Sequence, residues 1–382
     1  MNCRIQEIKN LKEIGRIIVV SDIHGYVHYL RGVLEKVGYT AKDTLVIVGD
    51  MIEKGPESLE TVRYIMGLCE EKRVFVTMGN VEYHRLNSFY NDTQEGPVNF
   101  FQMLKWTHKK WKRGLFLDML NELEIELEEI REEEMVGIKQ QIKQRYAREL
   151  EFLWNLPTVL SIGNFIFAHA GVPTEYLEEL QTVDALSCMK IDAFLKKEVV
   201  FNKTVVVGHW PVCLYRDDID CMNPIFDYQK HIIAIDGGCA LKYGAQLNAL
   251  IIPKPNADIR EVTYMDYDDY PVMIAPNSQS ARKKTIVIRY FDSEVRILEE
   301  MNDVVKLLHI NSNKNFMAPK EFLFFRKDKA YCNDCSDAYL AIEQGDRLAV
   351  IAETSVGDIV KKDGVLGWYM DAERIEGGDI DS

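Results

Sequence analysis

No stretch of this 382-residue chain approaches the roughly 20 consecutive apolar residues that a membrane-spanning helix needs. The first residues, Met1 to Lys9, are polar and mixed in charge and lack the apolar centre of a secretory leader, so a cytoplasmic protein is expected. Positive charge is short as well: 46 Lys and Arg face 60 Asp and Glu, for a net charge of −14. A phosphate-rich polymer would be repelled by that balance, so neither a nucleic-acid polymer nor a membrane is expected as a partner. A basic pocket for one phosphate is still compatible with it. A second close pair of cysteines is missing too. Six of the eight cysteines stand singly, at Cys3, Cys69, Cys188, Cys213, Cys221 and Cys239, which suits reduced thiols. Cys332-x-x-Cys335 is the only close pair, and a zinc ribbon would need another. The acidic run Met265 to Tyr270 lacks the glycine and the closing glutamate of a calcium loop, so no metal is assigned to it.

What the chain does have is a repeated layout. Ile17 to Val20 read as a buried strand that stops at Ser21-Asp22-Ile23-His24-Gly25. In an extended chain, side chains two apart point the same way, so Asp22 and His24 should leave the strand end together. Leu45–Val48 runs into Gly49-Asp50, and Val74–Met78 into Gly79-Asn80. Phe165–Ala168 ends in His169, Val205–Val207 in Gly208-His209, and Ile232–Ile235 in Asp236-Gly237-Gly238. Turn chemistry accounts for an Asp or Gly at any one of these ends. It does not account for carboxylates, an amide and three imidazoles all falling at the C-terminal ends of strands, where ligands of α/β sheets bind.

These residues carry a resemblance. S-D-I-H-G, G-D-M-I-E-K-G, G-N-V-E, H-A-G, V-V-G-H-W-P and I-D-G-G-C-A, in that order from about Arg16 to Pro253, resemble the calcineurin-like metallophosphoesterases. The closer likeness is to the phosphoprotein phosphatase branch, with its bacterial serine/threonine phosphatases and diadenosine tetraphosphate hydrolases. The resemblance implies an α/β fold, a four-layer α-β-β-α sandwich. It also implies two divalent metals, manganese, iron, zinc or cobalt, which clamp a phosphoryl group and generate hydroxide from the water between them. By motif, Asp50 bridges the metals, Asp22 and His24 complete the first site, and Asn80, His169 and His209 complete the second. Asp236 is a candidate to orient one of the imidazoles from behind.

The sequence departs from the family pattern at three places. The histidine that normally protonates the departing oxygen is Val81. The aspartate that normally orients that histidine is Glu53. The arginine that normally forks onto the phosphate is Lys54, which brings charge without bidentate geometry. Glu53, Lys54 and Asp50 are the candidate catalytic residues, and Lys54 and Arg216 the candidate phosphate cations. A positioned general acid is worth about 10²–10⁴-fold in rate. That loss is severe when an alkoxide must leave and mild when a phenol or another phosphate leaves.

Helical spacing is read after the first two strands, giving a βαβαβ unit. Residues 83–155 interrupt it as a helical insertion whose aliphatic residues Leu120, Leu123, Leu127 and Ile130 recur at helical spacing among many glutamates. The phosphoesterase domain is placed at 1–255, a connector at 256–284, and a small all-β module at 285–382. Short strands are expected there at Thr285–Arg289, Val295–Leu298, Val304–Ile310, Phe322–Phe325, Arg347–Ala352, Asp358–Lys361 and Gly367–Met370. The stretch around Ile297–Leu323 reads as a copy of Val350–Ile375, two SH3-like repeats suited to docking a protein partner or to self-association. Three functions are consistent with these residues. One is a phosphomonoesterase resembling protein serine/threonine phosphatases, acting on a phosphoprotein or nucleotide-like substrate. Another is a nucleotide or dinucleoside polyphosphate hydrolase. The third is a regulatory scaffold that keeps the metals with little turnover.

Overall fold

The computed structural model describes residues 1–282 and 286–370. They form two compact units: Met1–Val212 with Pro224–Leu241 and Gln246–Asp268, and Cys213–Asn223 with Lys242–Ala245 and the chain from Asp269 onward.

The first unit has eleven strands, β1 (Ile5–Ile8), β2 (Ile17–Val20), β3 (Thr44–Val48), β4 (Arg73–Thr77), β5 (Val159–Ile162), β6 (Phe165–Ala168), β7 (Thr204–Val207), β8 (Ile225–Asp227), β9 (Ile232–Ala234), β10 (Leu247–Ile252) and β11 (Thr263–Tyr267). They build two mixed sheets, ordered β1-β5-β6-β7-β9-β8 and β11-β10-β2-β3-β4. The apolar runs that signalled strands are the runs that fill the core between the sheets. Ile17, Val19, Val46 and Val48 from one sheet pack with Leu160, Phe165, Phe167, Val206 and Ile233 from the other. Because β2, β3 and β4 are parallel neighbours, their C-terminal ends lie side by side. The ends of β6, β7 and β9 are likewise brought together by parallel pairing.

The helices are α1 (Val27–Lys36), α2 (Ser58–Glu71), α3 (Asn80–Phe89), α4 (Gly96–Trp111), α5 (Leu115–Glu122), α6 (Met135–Arg145) and α7 (Ala147–Trp154), beside shorter turns. α1 packs on β10 and β11, and α2 on β4, α5 and α7. The insertion is helical, but not through its glutamate run. α5 stops at Glu122, Glu124 takes a left-handed φ of 57°, and only single 3-10 turns follow at Leu127–Glu129 and Glu132–Glu134. Like charges at helical spacing repel, and the one cation within the run, Arg131, pairs with Glu133 and Glu134 at its far end and leaves the glutamates before it unanswered from within the run. Phe89, Phe100 and Phe116 hold the insertion together, with ring centres 4.9–5.3 Å apart. The 256–284 stretch, expected as a connector, contributes β11, which pairs antiparallel with β10 along the sheet edge.

The second unit contains β12 (Val272–Ile274), β13 (Val287–Ile288), β14 (Glu294–Met301), β15 (Val304–His309), β16 (Lys314–Pro319), β17 (Leu323–Arg326), β18 (Lys329–Cys332), β19 (Cys335–Ser336), β20 (Arg347–Glu353), β21 (Gly357–Lys362) and β22 (Val365–Met370). The expected strand residue Thr285 and the last residues of the expected repeat, 371–375, lie outside the described residues. Within the rest, β14-β15-β16 and β20-β21-β22 are both antiparallel three-strand meanders. Each first hairpin carries a bulge at the same place, between Ile297 and Glu299 in one and between Val350 and Ala352 in the other. The second hairpins differ in loop length. His309 pairs with Lys314, whereas Lys362 pairs with Val365, so the later loop is two residues shorter.

A buried ion pair ties this second unit internally. Arg289 donates to Asp220 Oδ1 at 3.0 Å and to the carbonyls of Arg216 and Ile219 at 3.1 Å. Removing one partner strands a charge in the interior, which typically costs about 3–5 kcal/mol. Arg289→Met is expected to lower stability by that order in urea unfolding, and the Asp220→Asn/Arg289→Met double variant to recover much of it.

Candidate metal centre

The turns after β2 and β3 are bonded to each other. Asp22 N–H donates to the Gly49 carbonyl, His24 N–H to the Asp50 carbonyl and Gly25 N–H to the Met51 carbonyl, at 2.8–3.1 Å. The strand-end expectation for Asp22 and His24 is corrected here. The strand ends at Val20, and Asp22 and His24 sit at left-handed φ values of 52° and 50°. They converge because the turn coils, not because an extended strand continues. Asp50, Glu53, Lys54 and His209 are left-handed too, with φ of 49°, 70°, 71° and 65°. Non-glycine residues avoid this region, and such strain concentrates at functional sites.

Glu82, fully buried on the first turn of α3, fixes the turn after β3. Its carboxylate accepts the N–H groups of Gly79, Asp50, Met51 and Ile52 at 2.7–3.3 Å. The close approach needs glycine on both sides. A Cβ on Gly79 would lie 2.3 Å from Asp50 N and Oδ1, and one on Gly49 would lie 2.6 Å from Gly79 Cα.

The carboxylate of Asp50 faces two imidazoles with different oxygens. Oδ2 lies 3.7 Å from His24 Nε2, and Oδ1 lies 3.3 Å from His169 Nε2. Asp22 Oδ1 is 3.9 Å from the same His24 nitrogen, and Asp22 Oδ2 accepts the His209 N–H at 3.0 Å. Asp22, His24 and Asp50 can each offer one ligand atom within 4.8 Å of the others, and all three are buried. The imidazole tautomers follow from what stands behind the rings. A carbonyl only accepts, so His24 Nδ1 donates to Ile52 O (3.1 Å) and His169 Nδ1 to Val48 O (2.9 Å). That turns both Nε2 atoms toward Asp50. His209 is reversed: Nε2 faces Asp192 Oδ1 at 3.1 Å, and Nδ1 faces the Asn80 amide at 2.8 Å.

Two observations fit this group of side chains to cations. As oriented, the Asn80 amide oxygen points at His169 Nε2, His209 Nδ1 and the Met189 carbonyl, 2.8–3.2 Å away, all acceptors when the rings are neutral. A cation among these lone pairs would be met by the amide oxygen, an end the side chain can present by a half-turn of its terminal torsion. Asp236 Oδ2 is the second observation: it is buried and has no hydrogen-bond partner among the described residues. The donor set of carboxylates, imidazoles and one amide suits mid-row divalent metals.

The electrostatics agree with that fit. Burial works against charge on Asp50, but His169, His24 and Lys54 together outweigh it and hold the carboxyl well below its usual range. Burial and then Asp236 push the Asp22 carboxyl up. Against burial, Asp50 and Asp22 hold His169 protonated up to about 10. Burial takes His24 down to about 3 and His209 down to about 4.

The remaining expected residues are placed as follows. Lys54 Nζ lies 2.7 Å from His24 Nε2, among the carboxylates. Glu53 is buried, accepts the Leu115 N–H at 3.1 Å and pairs with Arg85 Nε at 3.0 Å. Arg216 belongs to the second unit, where its guanidinium donates to the Asn223 carbonyl at 3.1 Å. Asp236 is corrected as the group behind an imidazole: its Oδ1 accepts the Gly238 N–H, and Val48, Ile52 and Asp192 stand behind the rings instead. Two of these are backbone carbonyls, which carry no side-chain signal. Asp192 and Arg85 belong to no motif; only the i,i+4 spacing of Arg85 from Val81 could have pointed to it.

Comparison with known proteins gives a family match. The calcineurin-like phosphoesterase family model matches residues 15–231. The asymmetrical bis(5'-nucleosyl)-tetraphosphatase PrpE of Bacillus subtilis (strain 168) is 28% identical over 163 residues, covering 40% of this chain and 57% of the relative. The chain thus spans a little over half the length of that relative. The symmetrical bis(5'-nucleosyl)-tetraphosphatase of Photobacterium profundum is 24% identical over 271 residues, covering 58% of this chain and 89% of the relative. A protein serine/threonine phosphatase from Saccharomyces cerevisiae, 14% identical, covers 70% of this chain and 84% of its own with a TM-score of 0.41, too loose a likeness to argue from. Among the described residues no helix is long and apolar enough to cross a membrane.

Metal binding should release protons. A coordinating imidazole must be neutral, and His169 is held charged up to about 10 by its carboxylate neighbours. At neutral pH at least one proton should therefore leave per protein, while His24 and His209, already neutral, contribute none. Affinity for manganese is expected to tighten about tenfold per pH unit between pH 6 and 8. Titration calorimetry in buffers of different ionisation enthalpy checks the proton count, and a pH-independent affinity would contradict it.

Proposed function

We propose that this chain, which belongs to the calcineurin-like phosphoesterase family, is a binuclear metal-dependent phosphoesterase. The observation that carries the reading is the split carboxylate of Asp50, one oxygen toward His24 and the other toward His169. In this reading Asp50 would be shared by two cations, Asp22 and His24 would hold the first, and Asn80, His169 and His209 would hold the second. Manganese, iron, zinc and cobalt all suit that donor set. Bound there, the metals supply Lewis-acid stabilisation of the phosphoryl oxygens and an activated water.

The chain's own residues do the rest. Lys54 Nζ lies 2.7 Å from His24 Nε2; with that nitrogen holding a metal, the ammonium would turn to a phosphate oxygen and meet it as a point charge. Val48, Ile52 and Asp192 keep the three rings turned so that their lone pairs face the cluster. Val81 gives the leaving group no proton. The substrates are therefore those whose leaving group departs readily as an anion: aryl phosphate monoesters, and nucleoside or dinucleoside polyphosphates. The names of the curated relatives, bis(5'-nucleosyl)-tetraphosphatases, favour the polyphosphates. We read the two sheets with their flanking helices as the family's four-layer sandwich. We read the meanders of the second unit as SH3-like docking modules.

Turnover of 4-nitrophenyl phosphate with manganese tests the reading. Asp50→Asn is expected to lower it by about 10³-fold and to reduce bound metal. An inert wild-type protein with every one of the four metals would instead point to the scaffold alternative. Val81→His is expected to raise the rate on alkyl phosphates more than on aryl phosphates. Equal gains on both would contradict the argument from the leaving group.

A further inference from the structure

Glu53 lacks the histidine that the resemblance would give it, yet it is not idle. It lies buried with its carboxylate 3.0 Å from the Nε of Arg85. Arg85 stands four residues beyond Val81 on α3, so both face the same way one turn apart. Its guanidinium carbon sits 5.5 Å from the centre of the Trp106 ring, and the side chain is only 14% exposed. No hydrogen bond engages Nη1 or Nη2 among the described residues. The guanidinium is thus ion-paired to Glu53 at its Nε edge without an aligned hydrogen bond and backed by an indole, with its two terminal nitrogens unspent. The same helix supplies Asn80 to the candidate metal centre and donates the Val81 N–H to Asp50 Oδ1 at 2.9 Å.

Resting on the phosphoesterase reading above, we infer that Arg85 takes the place of the missing proton donor as a fixed cation that binds the departing oxygen, with Glu53 as its positioning residue. The step balances without a proton from the protein. The water oxygen forms the new bond to phosphorus as the bond to the leaving oxygen breaks. The leaving oxygen keeps the electron pair and departs as a phenolate or a phosphate against the guanidinium. The proton shed by the water ends on the phosphate product or in solvent. A guanidinium stays charged at any working pH and does not surrender a proton, so it stabilises an anion without neutralising it. An alkoxide, which needs the proton to leave, gains least. The exchange of an imidazole for a guanidinium is therefore a specificity device that selects the leaving group.

A leaving-group series of substituted phenyl phosphates tests this on the full chain with manganese. Arg85→Gln should cost about tenfold on 4-nitrophenyl phosphate and about 10²–10³-fold on phenyl phosphate, because charge on the leaving oxygen is then met by nothing. The slope of log kcat/KM against leaving-group pKa steepens accordingly, while bound metal is unchanged. Arg85→Lys should recover part of the loss by charge alone. Because Arg85→Gln strands Glu53, the Glu53→Gln/Arg85→Met double variant removes both charges together and should give the same steeper slope. An equal loss across the series in both variants would make Arg85 merely structural and overturn the inference while leaving the phosphoesterase reading intact. No turnover by the wild-type protein on any of the series would remove that reading, and the inference with it.

Discussion

One buried carboxylate holds the site in register. Glu82 collects four backbone N–H groups from two separate turns, at Gly79 and across Asp50 to Ile52. Buried N–H groups at irregular turns are costly when unpaired. These turns cannot pair with strands because they carry the left-handed residues that aim Asp50 inward. Glu82 satisfies them from the first turn of α3, and in doing so locks the helix start, and hence Asn80, to the position of Asp50. The glycines at 49 and 79 follow from the same constraint, since any Cβ there would intrude on the gathered backbone. The candidate bridging residue and a candidate ligand of the second metal are thus placed by one anion that need not touch a metal.

The electrostatic logic of the cluster follows from its burial. Three carboxylates, Asp22, Asp50 and Asp236, are enclosed within reach of one another; burial first, and then their mutual repulsion, raises Asp22 and Asp236. Two protein cations answer them, Lys54 against His24 and a charged His169 against Asp50. The site is thus built to be rich in negative charge and to draw a positive partner. Divalent cations satisfy that demand better than a lysine whose own burial lowers its pKa.

Much of this was legible in the sequence because the relevant strands are buried on both faces and therefore read as continuous apolar runs. No apolar–polar alternation was needed: Ile17–Val20 and Phe165–Ala168 form as strands at the residues their runs mark. The polar residues ending those runs do come together, because parallel pairing sets strand ends side by side. What stayed hidden depends on backbone or on chain-distant partners. The carbonyls of Val48 and Ile52 have no side-chain signature. Asp192 sits in a loop with no pattern around it. The glutamate run from Glu122 to Glu134 kept leucines at helical spacing, yet repulsion along it breaks the helix into single turns. The 256–284 stretch read through its prolines as a connector with one strand, whereas it holds two, Thr263–Tyr267, which caps a sheet edge, and Val272–Ile274.

The first two turns of α3 show how the departures from the family pattern cohere. Asn80 points into the cluster, Val81 gives only its N–H to Asp50, Glu82 turns back to the backbone, and Arg85 reaches Glu53. Replacing the imidazole at position 81 with valine removes a donor but disturbs none of the other three roles, since each is carried by a different residue of the helix. The orienting carboxylate persists as Glu53, one methylene longer than the aspartate of the family pattern, and is met by a cation one turn further along the helix. A scaffold that merely retained metals would have no use for a buried Glu53–Arg85 pair whose guanidinium leaves two nitrogens unspent. A catalyst of anionic departures would, and the helix can supply it without moving any candidate metal ligand.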